Sequence, residues 1–152
     1  MRILISGCLL GCSCRYDGGT KPCLEAIALK EKHQLIPVCP EQLGGLTTPR
    51  TPCEHVGGRV MSIEGQDRTD AYTRGALEAL KLFDLFECDC AVLKARSPMC
   101  GSNIIYDGTF SGHFTEGDGV LARMLKERGV KVYTEDEIAC LTEGIRHREQ
   151  TL

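Results

Sequence analysis

Ten of the 152 residues are cysteines, and no other group in this chain offers as wide a choice of chemistry. A thiolate can ligate a soft metal, attack an electrophile or oxidise to a disulfide. In a small exported chain an even cysteine count would suggest a disulfide framework. Here the apolar start, Ile3 to Ile5, is cut short by Ser6 and Gly7, too early for an export signal or a membrane span. A cytoplasmic, reducing setting is therefore expected, and it turns the thiols towards metal binding or catalysis.

Local cysteine motifs do not complete a metal site. Cys12-Ser13-Cys14 and Cys88-Asp89-Cys90 hold one intervening residue each, where zinc knuckles use two to four. Cys8 and Cys12 are separated by three residues, but no second pair matches them. His33, His55, His113 and His147 form no paired ligand pattern. Phosphate-cradling Gly-rich loops are absent from the turn after the first strand. Cys8 to Arg15 superficially resembles a cysteine-phosphatase loop, with six intervening residues in place of five. The ligands of a metal site in this chain are therefore expected to depend on strand placement more than on a local motif.

The elements that would bring them together are legible from hydrophobic pattern. Residues 2–6 read as a buried strand, and Leu35 to Val38 as a second ending at Cys39-Pro40. Cys90 to Lys94 give a third strand leading into Ser97-Pro98-Met99-Cys100, and Val130 to Tyr133 a fourth. Helices are expected from Pro22 to about Lys32, over 70–87 with Asp70 as N-cap, and from near Asp118 to Gly129. Residues 40–58, rich in Gly and Pro, read as an extended loop, followed by a short strand from Arg59 to Ile63. Asn103 to Phe114, with Asp107-Gly108 between two extended runs, predicts a hairpin. Thr134 and Glu137 form a capping box for a last short helix, after which the polar tail from Glu143 is expected to fray. Alternating strands and helices imply an α/β fold: one Rossmann-like domain over residues 1–152, with a mainly parallel sheet flanked by helices and a small hairpin.

In such a sheet, ligands bind beyond the carboxyl ends of the strands. Cys8 follows the first strand, Cys39 the second, and Cys100 lies in the loop after the third, so one sheet edge collects all three. Three soft thiolates suit an iron–sulfur cluster. A four-iron cluster with only three cysteines would keep one iron open as a Lewis acid, by the logic that separates catalytic from structural zinc. Cys23, Cys88, Cys90 and Cys140, on or beside regular elements, read as small buried hydrophobes. Cys14 could position the first loop, Cys53 reads as packing, and Glu135, Asp136 and Glu137 read as a solvated acidic face and cap. A net charge of −3 and scarce aromatics argue against a broad nucleic-acid surface.

Several separated motifs resemble one family, the one once labelled domain of unknown function 523, over about residues 1–141. They are Ser6-Gly7-Cys8-Leu9-Leu10-Gly11, Cys14-Arg15-Tyr16-Asp17-Gly18, Cys39-Pro40-Glu41, Gly44-Gly45-Leu46, Pro49-Arg50, and Lys94-x-x-Ser97-Pro98-x-Cys100-Gly101. Tyr106-Asp107-Gly108-Thr109-Phe110 and Gly117-x-Gly119-Val120 extend the match. Members of that family include thiouracil desulfidases, so the resemblance implies removal of sulfur from 2-thiouracil- or 4-thiouracil-type bases or nucleosides, giving the oxo base and sulfide. It implies a [4Fe-4S] cluster on Cys8, Cys39 and Cys100, with the fourth iron taking the substrate's sulfur. Glu41 would handle protons, or else cap a helix or pair with Arg50. Ser97 would hydrogen-bond substrate or cluster, or only shape the turn before Pro98. Arg15, Tyr16 and Asp17 could line the substrate pocket or close the first loop around Gly18-Gly19, and Arg50 could line it or be an ordinary loop cation. Met99 replaces an expected serine and could narrow that pocket. A tRNA substrate remains open, and no stable protein partner is implied. The competing readings are a non-catalytic metal or redox-sensing module on the same thiols, and a zinc-stabilised binding domain.

Overall fold

A computed structural model describes residues 1–151. Its centre is a four-stranded parallel sheet in the order β2 (Gln34–Val38), β1 (Arg2–Ser6), β5 (Cys90–Leu93), β8 (Val132–Thr134). Parallel register pairs Ile3 with Leu35 and with Cys90, and Val92 with Tyr133. The strands are nearly continuous apolar runs because both faces are covered, as parallel sheets require. On one face Leu4, Ile36, Ala91 and Leu93 pack against α3 (Thr69–Leu85) and α4 (Val120–Glu127). On the other Ile3, Ile5 and Val92 pack against α1 (Leu24–Ala28) and α5 (Ile138–Glu149). The period-2 alternation of β1 thus serves two separate cores.

Parallel pairing puts Ser6, Val38, Leu93 and Thr134 at one edge, and the connections leaving that edge carry the polar groups. After β1, Gly7–Leu10 form a 3-10 turn that Gly11 ends with φ 99°, a left-handed conformation glycine adopts freely. After β2, a one-turn helix, α2 (Pro40–Leu43), starts with proline at its first position. This corrects the expectation of an unbroken loop over residues 40–58. The remainder of that stretch forms β3 (Cys53–Val56), paired antiparallel with β4 (Arg59–Ser62). Gly and Pro punctuate the region without preventing regular structure.

Helix α2 docks on α3 at two glycines. A Cβ on Gly44 would lie 2.1 Å from the carbonyl oxygen of Ala71, and one on Gly75 would lie 1.8 Å from that of Pro40. Backbone meets backbone there, so the two helices sit closer than side chains would allow.

Other boundaries also differ from expectation. Pro22 does not open a helix: α1 begins at Leu24 and passes at Leu29 into a 3-10 turn, because Cys23 is still extended. Asp70 lies in the first turn of α3 and the N-cap is Arg68. The expected hairpin exists as β6 (Ile104–Tyr106) and β7 (Phe114–Glu116), but a seven-residue loop, 107–113, joins them in place of a two-residue turn. The Thr134–Glu137 capping box is formed, with a 3-10 turn between it and α5. That helix runs on to Glu149 where a frayed tail was expected. No helix among the described residues is long and apolar enough to cross a membrane.

Candidate functional site

At the carboxyl edge of the sheet lies a cavity of about 350 Å³, and Cys8, Cys39 and Cys100 all line it. Each is placed by a different device. Cys8 sits in the 3-10 turn directly after β1, and Cys39 is the N-cap residue of α2. Cys100 is held by Ser97, whose Oγ accepts the N–H of Met99 at 3.2 Å and of Cys100 at 2.8 Å. Ser97 also lines the cavity, so its first visible task is to shape the turn that presents Cys100.

Burial dominates the chemistry of the Cys8 and Cys100 thiols. It pushes the Cys8 thiol up to about 11, with Lys94 pulling the other way, and it drives Cys100 higher still. Thiols raised in this way are protonated near neutral pH, so only a strongly bound soft cation would displace their protons. The three thiols share a cavity without converging on a point: among the described residues no three His, Cys, Asp or Glu groups are placed to hold a single metal ion. A multi-iron cluster, which spreads its cysteine ligands over separate irons, fits that donor set better than one zinc ion.

Beside Cys39 stands a carboxylate with one oxygen fixed. Glu41 Oε1 accepts the Tyr72 hydroxyl at 2.7 Å and Arg50 Nε at 3.1 Å. The Arg50 side chain is only 7% exposed. Burial opposes its charge, but Glu41 and Cys39 outweigh that and hold its pKa above the ordinary value. Arg50 Nη2 also donates to the Cys14 carbonyl at 2.8 Å, and Nη1 to the Thr47 carbonyl at 3.2 Å. Arg50 therefore ties α2, the first loop and the 47–50 segment together. Tyr72, read from sequence only as one residue of an apolar helix face, is 1% exposed, with its phenol raised far above the usual range by burial and by Glu41.

Arg15 and Tyr16 line the cavity, with the Arg15 guanidinium 5.8 Å from the centroid of the Tyr16 ring. Asp17 does not. It is exposed, and its Oδ1 accepts the N–H of Gly19 at 2.9 Å, closing the turn. Met99 does not narrow the pocket: it is fully buried against the α3 and α4 face of the core, because the turn at Ser97 directs Cys100 to the cavity and Met99 inward. Lys94, Glu54, Cys14 and Cys53 also belong to the lining. Glu135 is not solvated, since it pairs with Lys94 at 2.8 Å with both side chains largely covered. Cys90 packs as a buried hydrophobe, whereas Cys23 and Cys88 are half-buried and Cys140 is exposed on α5. The signal for Lys94 was present in the sequence as a cation closing an apolar strand. For Glu54 and Tyr72 there was none.

The sequence model of the 2-thiouracil desulfurase family matches residues 3–137. The chain belongs to that family. As a desulfurase-family member it is 38% identical over 146 residues to the uncharacterized protein YbbK of Bacillus subtilis (strain 168), covering 90% of this chain and 97% of that one. Its fold is similar to that of the [4Fe-4S]-dependent thiouracil desulfidase TudS, with a TM-score of 0.86 and 38% identity, over 95% of this chain and 97% of the other. The family's α/β fold is thus the one the alternating pattern predicts.

Proposed function

We propose that this desulfurase-family chain is an iron–sulfur-dependent desulfidase that exchanges the sulfur of a thiolated pyrimidine for oxygen, releasing the oxo base and sulfide. The observation that carries this reading is the cavity itself: the buried thiols of Cys8 and Cys100 and the half-buried thiol of Cys39, from the connections after three strands, line it together with a carboxylate that has one oxygen fixed and the other without a donor among the described residues. Cys8, Cys39 and Cys100 would be the three ligands of a [4Fe-4S] cluster. When bound with one iron free of protein ligands, that cluster supplies a Lewis acid for the substrate's sulfur.

The chain's own residues supply the proton chemistry. Glu41 takes a proton from water as the water oxygen bonds to the ring carbon, returns it to the sulfur, and takes the remaining hydroxyl proton as the carbon–sulfur bond breaks and the carbonyl forms; that second proton then passes to the departing hydrosulfide. Thione plus water becomes oxo base plus hydrogen sulfide, with no electrons gained or lost. Tyr72 and Arg50 hold Oε1, which leaves Oε2 to meet the water. Lys94 adds positive charge beside Cys8, where negative charge gathers. A volume near 350 Å³ supports a free base as the occupant in preference to a tRNA loop.

Iron and acid-labile sulfide measured after anaerobic reconstitution, beside sulfide release from 2-thiouracil, test this directly. The wild type is expected to hold about four of each per chain, and alanine at Cys8, Cys39 or Cys100 to abolish both cluster and turnover. Glu41→Gln should keep the cluster and lose turnover by about a hundredfold or more. Zinc in place of iron, or sulfide release indifferent to Cys39→Ala, would refute the reading.

A further inference from the structure

The proposed chemistry uses one cavity carboxylate, and the cavity has a second. Glu54, on β3, is 8% exposed and lines the wall. Its Oε1 accepts two backbone N–H groups from the 107–113 loop, Gly108 at 2.9 Å and Phe110 at 3.2 Å. Its Oε2 has no donor among the described residues. It is not sealed in the interior either, since the one side-chain polar atom found there without a partner is Ser102 Oγ. An unpartnered carboxylate oxygen at the wall of a cavity is an acceptor waiting for a donor.

The loop that Glu54 holds brings an aromatic ring to the same wall. Phe110 lines the cavity with φ 55°, a left-handed conformation that is uncommon for a bulky residue and needs an external tie. Glu54 supplies that tie through the Phe110 N–H. Gly108, with φ 90°, permits the turn: a Cβ there would lie 2.3 Å from the His55 carbonyl oxygen. One side chain therefore fixes a ring that a planar heterocycle can stack on and offers an acceptor to that heterocycle's edge.

We infer that Glu54 is a specificity-determining residue, with Oε2 accepting the ring N–H that lies between the two oxo or thioxo carbons of a uracil-type base. That N–H adjoins the reacting carbon whichever of the two carries sulfur. The inference rests on the desulfidase reading and adds which edge of the base is read. It excludes cytosine-type bases, whose nitrogen at that position carries no proton and would set a lone pair against the carboxylate.

Glu54→Gln is the discriminating variant. The amide oxygen can still accept both loop N–H groups, while the amide nitrogen turns the acceptor facing the cavity into a donor. Uracil and cytosine binding to cluster-loaded wild type and variant would be measured by titration calorimetry, with iron content and melting temperature beside them. Uracil affinity is expected to fall about tenfold or more, and the uracil-to-cytosine preference to shift towards cytosine by at least that factor. With 2-thiouracil, KM should rise while kcat changes little. Because the preference is a ratio, a partly unfolded preparation still reports it. Uracil affinity and preference within about twofold of wild type would overturn the assignment of Glu54 alone. A cluster-loaded wild type that binds no pyrimidine would instead overturn the desulfidase reading on which it stands.

Discussion

The proposed role of Glu41 gives its two oxygens different tasks, and the residues around it make them differ. Tyr72 and Arg50 both hold Oε1, from a buried helix face and from the segment that precedes β3. Arg50, expected as a possible part of the substrate pocket, lines the cavity and also holds Glu41, the Cys14 carbonyl and the Thr47 carbonyl. Tyr72 makes no hydrogen bond to the three cysteines proposed as ligands, and its hydroxyl acts on the proposed chemistry through Glu41. Tyr72→Phe removes one hydroxyl and leaves the ring in place. We expect full cluster content, an unchanged KM for 2-thiouracil and a kcat lower by about tenfold, the cost of roughly one hydrogen bond to a charged acceptor. Adding Tyr72→Phe to Glu41→Gln should cost nothing further, whereas loss of iron from Tyr72→Phe would show a role in holding the thiols instead. Where Glu41 would stand was legible in its motif beside Cys39. Its hydroxyl partner, thirty-one positions away on a helix read as purely apolar, was not.

At the scale of elements, close approach does what side chains cannot. Helix α2 is one turn long and could not hold its place by its own hydrogen bonds. It is positioned because Gly44 and Gly75 let it lie directly on α3, which brings Glu41 to Tyr72. Gly75→Ala puts a methyl where the Pro40 carbonyl now sits, so α2 must move outward. A loss of about 1–3 kcal/mol in stability is expected by denaturant melting, together with reduced turnover, since Glu41 leaves with the helix. A variant as stable and active as wild type would show that α2 carries no such constraint. Hydrophobic pattern located the sheet strands and α3 to within a few residues because their faces are buried and periodic. It missed α2 and β3 because their short spans are governed by docking, and Gly and Pro there mark contacts as much as loops.

Across the whole molecule, the parallel sheet sets the chemistry by gathering four strand ends at one edge. The β5 and β8 ends are joined there by Lys94 and Glu135, 2.8 Å apart and mostly covered, while Glu135 also accepts the N–H of Ala95. Glu135→Gln would leave the Lys94 charge half-buried and unpaired. We expect about 1–3 kcal/mol of lost stability in melts of the cluster-free protein, and a smaller loss in Lys94→Met Glu135→Gln than the sum of the two single changes. Strict additivity would mean that the two groups do not act as a pair. Covering both sheet faces with separate helical layers leaves the edge as the place where polar and sulfur groups can meet a ligand without disturbing either core.

The sequence by itself determined the order of the four sheet strands and the longer helices, because burial imposes period 2 on strands and 3.6 on helices, and it marked Cys8, Cys39 and Cys100 by their positions after successive strands. The motifs around those cysteines were enough to suggest the family. Only the tertiary structure decided the partners. Tyr72 with Glu41, Glu54 with the 107–113 loop, and Lys94 with Glu135 are separated by 31, 54 or more, and 41 positions, and none leaves a periodic signature. Hydrogen bonds and ion pairs between distant segments depend on where backbones stop relative to one another, and that is fixed by packing: two glycines under α2, a serine turn before Cys100, and a shared edge of the sheet.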